Sequence, residues 1–309
     1  EQSKGDNDLT AAFESYHAMS DMEKIKKIMK KYEIKGKNYS SEFNFDKKMF
    51  YYKLKDKVKN YFETKKINHH SNLFWFVKST FQFVIYLSSF IISCYMTNIP
   101  IYYRYVLSLI SGHMFIQYGF TVMHDASHHA ISSNSKINEI LANIWNSLAL
   151  WNNNIWYKHH CIMHHSFTGS KLDPDTIHFY PFIRKSIQES AKKYIKYSNL
   201  RAIFFINIFP GMWLGQAFAY LNGIIKMRLW RMPLDIRSNL LEMLLKFFTI
   251  FSLLYSRNIF VIFCYVIACN VTYCLCILPD HDTFETHQNI IHDIKKADWG
   301  ELQVCNSAN

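Results

Sequence analysis

Long apolar runs alternate with lysine-rich stretches along this chain, and that alternation predicts its architecture. Residues 79–97 ("STFQFVIYLSSFIISCYMT") carry no charge and are long enough to cross a bilayer as a helix. A turn is expected at "NIP", and residues 105–123 then form a second candidate that ends at His124. Residues 134–151 alternate apolar and polar positions at helical spacing, which predicts a helix lying along the membrane interface. After a polar stretch at 168–201, three further apolar runs follow at 202–225, 240–255 and 258–278. Pro210, Gly211 and Gly215 interrupt the first of these, so it is expected to be interfacial or re-entrant. The last two are expected to form a hairpin around "SRN". Residues 1–70 are polar, mostly helical in pattern and without a membrane-length run. The expected fold is therefore all-α: a polytopic membrane protein with about four transmembrane helices in two hairpins and a helical cap on one side.

Charge sharpens this picture. A formal net charge of +11 would suit nucleic acid, but Lys53, Lys55, Lys57, Lys59, Lys65 and Lys66 directly precede the first apolar run. Such a placement fits an anionic membrane surface better, so no nucleic-acid partner is expected. Arg184, Lys185, Lys192, Lys193, Arg228 and Arg231 fall on the same side in this topology, whereas the opposite loops offer little beyond Arg104 and Arg257. The basic side is expected to be cytosolic. Among the seven cysteines there is no CxxC pair, and five lie inside apolar runs, so nothing demands an oxidising compartment. The chain opens on Glu1 with no secretory signal, which predicts an excerpt of a longer protein.

Histidine carries the candidate chemistry. "HDASHHA" at 124–130 and "WYKHHCIMHHS" at 156–166 together hold seven of the fifteen histidines. His124 and His128 are four apart, as are His160 and His164, and residues four apart share a face of an α-helix. His165 adds an imidazole on an adjoining edge. Two helices could thus present convergent ligands to one cavity, although imidazole alone does not choose among zinc, copper, iron and nickel. His113, within an apolar run, reads as a hydrogen-bonded core residue, and His69 and His70 as solvated positions of a lysine-rich linker. Asp125 lies inside the first cluster and could hold a ligand imidazole in one tautomer, or be a surface carboxylate at a helix end. Asp173 and Asp175 in "KLDPD" are expected to shape a loop.

"HDASH", "HHCIMHH" with Trp156 four residues before His160, and the two predicted hairpins resemble the membrane fatty acyl desaturases. In that family, His-rich boxes of the form HxxxH and HxxxHH hold two iron ions. The resemblance implies iron ligation by His124, His128, His160, His164 and His165, with His281 in "LPDHDTFETH" as an additional ligand. His129 and His159 are extra neighbours. "DWGELQVCNSAN" resembles the family's segment leading toward a third box, typically QxxHH, which is expected beyond residue 309; His287 and His292 do not replace it. "DLTAAFESYHAMSD" resembles the later half of the cytochrome b5 domain fused to front-end desaturases, which implies haem ligation by His17 with an HPGG partner motif upstream. The implied division is residues 1–36 as the end of a cytochrome b5-like domain, 37–70 as a basic juxtamembrane linker, and 71–309 as the membrane desaturase domain.

The resemblance implies oxygen-dependent desaturation of a long-chain fatty acyl lipid or acyl-CoA at a di-iron centre. Dioxygen, membrane lipid, cytochrome b5 with its haem, and cytochrome b5 reductase are the implied partners, in the endoplasmic reticulum with the boxes facing the cytosol. A sphingolipid desaturase or lipid hydroxylase shares the metal and electron source. A polytopic transporter or scaffold using His for zinc is the alternative from another class.

Overall fold

The computed structural model describes residues 8–33, 41, 43–170, 173–174, 213, 221, 228–229, 232–233, 237–281 and 297–307, with side chains omitted at 228–229, 232–233 and 277–281. The described residues of the polar N-terminal region include the α-helices α1 (Thr10–Tyr16), α2 (Met22–Met29) and α3 (Phe50–Lys65). Asp21 caps α2 by accepting the Glu23 and Lys24 backbone N–H groups, and Lys66, at φ 52°, ends α3. These helices gather with the chain's last described segment into a small cap. There Ala11, Phe43, Tyr51, Phe167, Trp299 and Leu302 share one buried cluster. Buried Asp298 knits it, accepting from the Tyr51 backbone N–H while capping a short terminal helix through Gly300 and Glu301.

Asn72 opens the first long helix, α4 (Leu73–Tyr95), by accepting the Trp75 N–H. "NIP" makes the expected turn, and α5 (Ile101–Tyr118) runs back antiparallel against α4. This helix does not stop at His124. It widens to a π-helical turn over Gly119–Met123 and resumes as α6 (His124–Ser127), giving 27 helical residues from Ile101 to Ser127. The interfacial candidate is α7 (Ser135–Leu148), capped by Asn134. One face of α7 is buried under the π-helical turn, where the Trp145 indole stacks on Phe115 at 4.9 Å, while Ile137 and Ile140 stay exposed. Gly119 permits that approach, because a side chain there would collide with the Trp145 ring. Two short helices follow, α8 (Asn153–Trp156) and α9 (His165–Phe167), joined by a second π-helical stretch over Tyr157–His164.

The hairpin expected around "SRN" is present as α10 (Leu240–Tyr255) and α11 (Ile259–His281). Among the described residues α4, the α5–α6 run and α11 are long and apolar enough to cross a membrane. The fourth candidate, α10, has 16 residues; at ~24 Å it is shorter than a ~30 Å hydrocarbon core. Close packing joins the hairpins: Ser108 donates to the Val261 carbonyl at 2.6 Å, and Gly112 lies directly under the Tyr265 carbonyl. Small residues at such crossings let helices approach within lipid. Arg104, expected in a loop, is instead buried in α5 and donates to the Ser93 and Ser256 carbonyls, tying the two hairpin turns together. Outward-facing Leu73, Phe74, Phe81, Leu254, Ile259 and Leu275 give the bundle an apolar exterior suited to lipid.

The terminal helix is α12 (Trp299–Cys305), and the described strands, Arg228–Leu229 and Met232–Pro233, form only a two-residue antiparallel ladder. The 202–225 run lies outside the described residues except for Leu221 and Trp213, whose indole donates to the Ala149 carbonyl. The basic positions at 184–193 and Arg231 also lie outside them.

Candidate metal centre

Both histidine clusters form beside π-helical turns, a local geometry that recurs at functional sites. The first follows from the widened end of α5. His124 begins α6, His128 closes it, and His129 breaks the helix by adopting φ 55°. The second follows from α8, which starts because the Asn152 side chain accepts the Asn154 and Ile155 N–H groups. In a regular α-helix, residues five apart sit about 140° around the axis from each other. The i→i+5 pattern between Tyr157 and His164 removes that offset, so His160 and His165 converge with Nε2 atoms 3.1 Å apart. The sequence spacing pairs His160 with His164; the structure pairs it with His165.

Four imidazoles meet. One donor atom from each of His124, His128, His160 and His165 lies within 4.8 Å of the other three. The rings approach edge to face, with centroids 4.6 Å apart for His124 and His128, 4.6 Å for His128 and His165, and 4.5 Å for His160 and His165. Trp156 holds the group from one side: its indole stacks on His160 at 4.2 Å and its Nε1–H donates to the Ser127 hydroxyl. One tryptophan therefore braces both clusters. His124, His128 and His165 open onto a cavity of about 670 Å³ that is also lined by Tyr16 and by His69 and His70. His70 is half-buried in this wall, which corrects its reading as a solvated linker residue.

Burial pushes His128 down to about 3, with the neighbouring His124 adding to the effect. His160 is held well below the usual imidazole range, first by burial and then by His165. Both rings are therefore neutral at pH 7, the form a metal requires. His128 Nε2 is buried and has no hydrogen-bond partner among the described residues. A buried, unpaired imidazole nitrogen is costly in a protein interior unless something occupies its lone pair. The donor set, all imidazole, fits iron, zinc or another metal of that class.

The remaining candidates divide. His164 stands outside the four-ring group: it is buried, and its Nδ1 lies 2.9 Å from Asp173 Oδ1. Asp173 also accepts the Gly169 N–H, so it does shape the loop, and beyond that it orients a box histidine. A carboxylate–imidazole partnership, one of the two readings open at Asp125, is found here. Asp125 accepts from the Trp75 indole at 2.8 Å, and its 3.6 Å separation from His124 Nδ1 is too long for a hydrogen bond. Asp173 was legible only as part of a turn, because nothing in "KLDPD" announces a partner nine residues earlier. His281 ends α11, and its side chain lies outside the described residues, as do Asp175, His287 and His292. His113 pairs with Thr272 at 3.0 Å, the expected core hydrogen bond. His17 closes α1 with Nδ1 2.8 Å from the Phe13 carbonyl.

With this geometry in hand, the relatives are informative. The family described as fatty acid desaturase matches residues 100–309, which is 210 of 309 residues and includes every box histidine. The chain belongs to the fatty acid desaturase family. It is 31% identical over 173 residues to a protein of Dictyostelium discoideum named probable Delta(5) fatty acid desaturase C, covering 54% of this chain and 37% of that one. An acyl-lipid (8-3)-desaturase B of the same organism is 28% identical over 173 residues, covering 54% and 36%. An acyl-lipid (8-3)-desaturase of Mortierella alpina is 25% identical over 197 residues, covering 62% and 43%. The matched segments thus span less than half the length of these relatives. No solved structure matches the chain.

Proposed function

We propose that this chain forms the membrane part of a front-end fatty acyl desaturase whose four convergent imidazoles hold iron. The observation that carries this reading is the convergence of His124, His128, His160 and His165 at the end of a membrane-length helix in a desaturase-family chain. Desaturation removes two hydrogens from an unactivated carbon chain, which side-chain acids and bases cannot do. The iron, when bound, supplies the oxidising chemistry with dioxygen. This chain's residues supply position and dryness. Burial keeps His128 and His160 neutral, Trp156 fixes the plane of His160, and Asp173 orients His164 as carboxylates do for metal-bound imidazoles. His164 and His281 complete the proposed ligand set.

The relatives' names favour an acyl lipid as substrate. Electrons enter, in this reading, from a cytochrome b5-like domain in which His17 is one haem ligand, reduced in turn by cytochrome b5 reductase. The proposed setting is the endoplasmic reticulum, with the boxes and residues 1–70 on the cytosolic side. Residues 1–36, 37–70 and 71–309 are the proposed haem-domain end, linker and membrane domain.

The test is a fatty-acid profile of cells expressing the whole protein, read beside iron per chain. New oxygen-dependent double bonds and bound iron are expected. Bound zinc without an oxygen-dependent product would move the reading to a metal-binding scaffold. Cysteine labelling that places positions 165 and 281 on opposite faces would break the shared-site topology.

A further inference from the structure

The N-terminal helix α1 is not remote from the imidazole cluster. Its last residue, Tyr16, reaches between both box segments: its ring lies parallel to His128 at 6.2 Å, edge-on to His129 at 5.9 Å, and 6.2 Å from Tyr157. The phenol oxygen lies in long hydrogen-bond contact with the Ser127 carbonyl at 3.3 Å and His128 Nδ1 at 3.4 Å, with the Cys161 thiol and the Tyr157 hydroxyl also beside it. The first two contacts determine each other's direction. A carbonyl only accepts, so the single phenol proton goes to Ser127. The same oxygen must then accept from His128, which places the imidazole proton on Nδ1. Nε2 is left with its lone pair; it is buried and unpartnered among the described residues, on a ring whose centroid lies 4.6 Å from those of His124 and His165.

Firm contacts seat α1. Glu14 pairs with Lys55 at 2.9 Å, both side chains only 12–13% exposed, and the Glu14 carbonyl accepts from the Tyr51 hydroxyl. Asp8 accepts from the Thr10 backbone N–H and from the Ser41 hydroxyl, and Ala11 is fully buried against the cap. The position of Tyr16 is thus fixed by contacts away from the cluster.

We propose that Tyr16 is a positioning residue for the metal centre: it holds His128 as the Nδ1–H tautomer, with Nε2 aimed at the metal, and so couples the seating of α1 to metal affinity. The inference rests on the metal reading of the cluster. Groups that orient a ligand imidazole through its other nitrogen typically contribute 10–100-fold to metal affinity.

Cobalt(II), which imidazole sites accept and whose visible bands report ligand geometry, is the probe. The full chain in lipid nanodiscs is titrated with cobalt as wild type, Tyr16→Phe, Tyr16→Ala and Glu14→Gln. Tyr16→Phe keeps the ring and removes the hydroxyl; affinity is expected to fall roughly tenfold or more, with a shifted visible band. Glu14→Gln, which touches no box histidine, is expected to weaken binding in the same direction by loosening α1. If Tyr16→Phe binds like wild type while Tyr16→Ala does not, ring packing alone seats His128 and the proposal is overturned. If the wild-type chain takes up neither cobalt nor iron, the metal reading fails and the proposal with it.

Discussion

Two imidazole nitrogens are buried without a hydrogen-bond partner among the described residues, His128 Nε2 and His70 Nδ1, and both residues line the same cavity. Their surroundings differ. His128 faces three imidazoles delivered by two helical segments, each oriented by neighbours of its own. His70 has one imidazole close by, His69, at 4.2 Å, and that neighbour is exposed and adjacent in sequence. An orphaned nitrogen is therefore not itself a signature of a site. Convergence from separate elements is, because packing must hold several rings against their mutual desolvation cost. The two positions consequently make opposite predictions.

The largest effect is expected at the cluster. Replacing His128 or His160 by Ala removes one donor and leaves three mispositioned, so iron per chain should fall to near background and desaturation by at least about 100-fold. A His128→Ala, His160→Ala double variant should be no worse than either single one, since ligands of one site are not additive. Protein abundance must be measured alongside, since loss of folding also removes activity. Normal iron in a correctly folded His160→Ala protein would break the comparison at its stronger end.

A smaller loss is expected at Asp173→Asn. The residue keeps its size and its contact with Gly169 but no longer presents a carboxylate to His164 Nδ1. Metal affinity should drop by about tenfold, the lower part of the range for such outer partners. Asp125→Asn should have less effect on metal, because the Asp125 carboxylate serves the Trp75 indole. If Asp125→Asn has the larger effect, the roles assigned to the two aspartates are reversed.

The same cluster predicts an acid-sensitive stability. His128 has a folded-state pKa near 3, below its ordinary value of 6.5, so the folded chain binds fewer protons than the unfolded one between those values. Its contribution is present above about pH 6.5 and is lost as pH falls toward 3; His160 shifts in the same direction. The melting temperature of chelator-treated protein should therefore decline steadily below about pH 6.5, and His128→Gln should flatten that decline. A profile that is level from pH 7.5 to 5 would show that the rings are less buried than described.

How far the sequence foretold this arrangement depends on which interactions are local. The membrane hairpins were legible because uncharged runs of bilayer length have few alternatives; Asn134 and Asn239 cap helices where the polar-to-apolar switches predict starts, while the first membrane helix begins at Leu73, ahead of the uncharged run at 79. The histidine clusters were legible as clusters. Their pairing was not, since α-helical spacing joins His160 to His164, and only the π-helical widening turns His165 inward instead. Tyr16, Trp75 and Asp173 were missed for a common reason: each meets a histidine cluster through tertiary contact, and Tyr16 and Trp75 do so from more than 45 residues away. Trp156 is the intermediate case, recognised by its spacing from His160 and explained by the stack it makes.

The smallest expected effect sharpens the comparison most. His70 is half-buried, and its Nδ1 lacks a partner, while its backbone N–H is satisfied by Asn68 Oδ1. Removing a buried polar atom that has no partner removes a desolvation cost along with the packing of the ring, so the two contributions oppose each other. His70→Ala should therefore change stability by no more than about 0.5 kcal/mol in either direction and leave iron per chain unchanged. His69→Ala, at an exposed position, should be equally quiet. The informative variant is His70→Leu, which keeps volume and drops the nitrogen: if the orphaned atom is only a cost, this protein should be at least as stable as wild type, read as an equal or higher melting temperature. A fall in bound iron for His70→Leu without a fall in melting temperature would mean that the lone pair of His70 serves the metal after all. The distinction between a converged and a stranded imidazole would then have to be redrawn to include the linker.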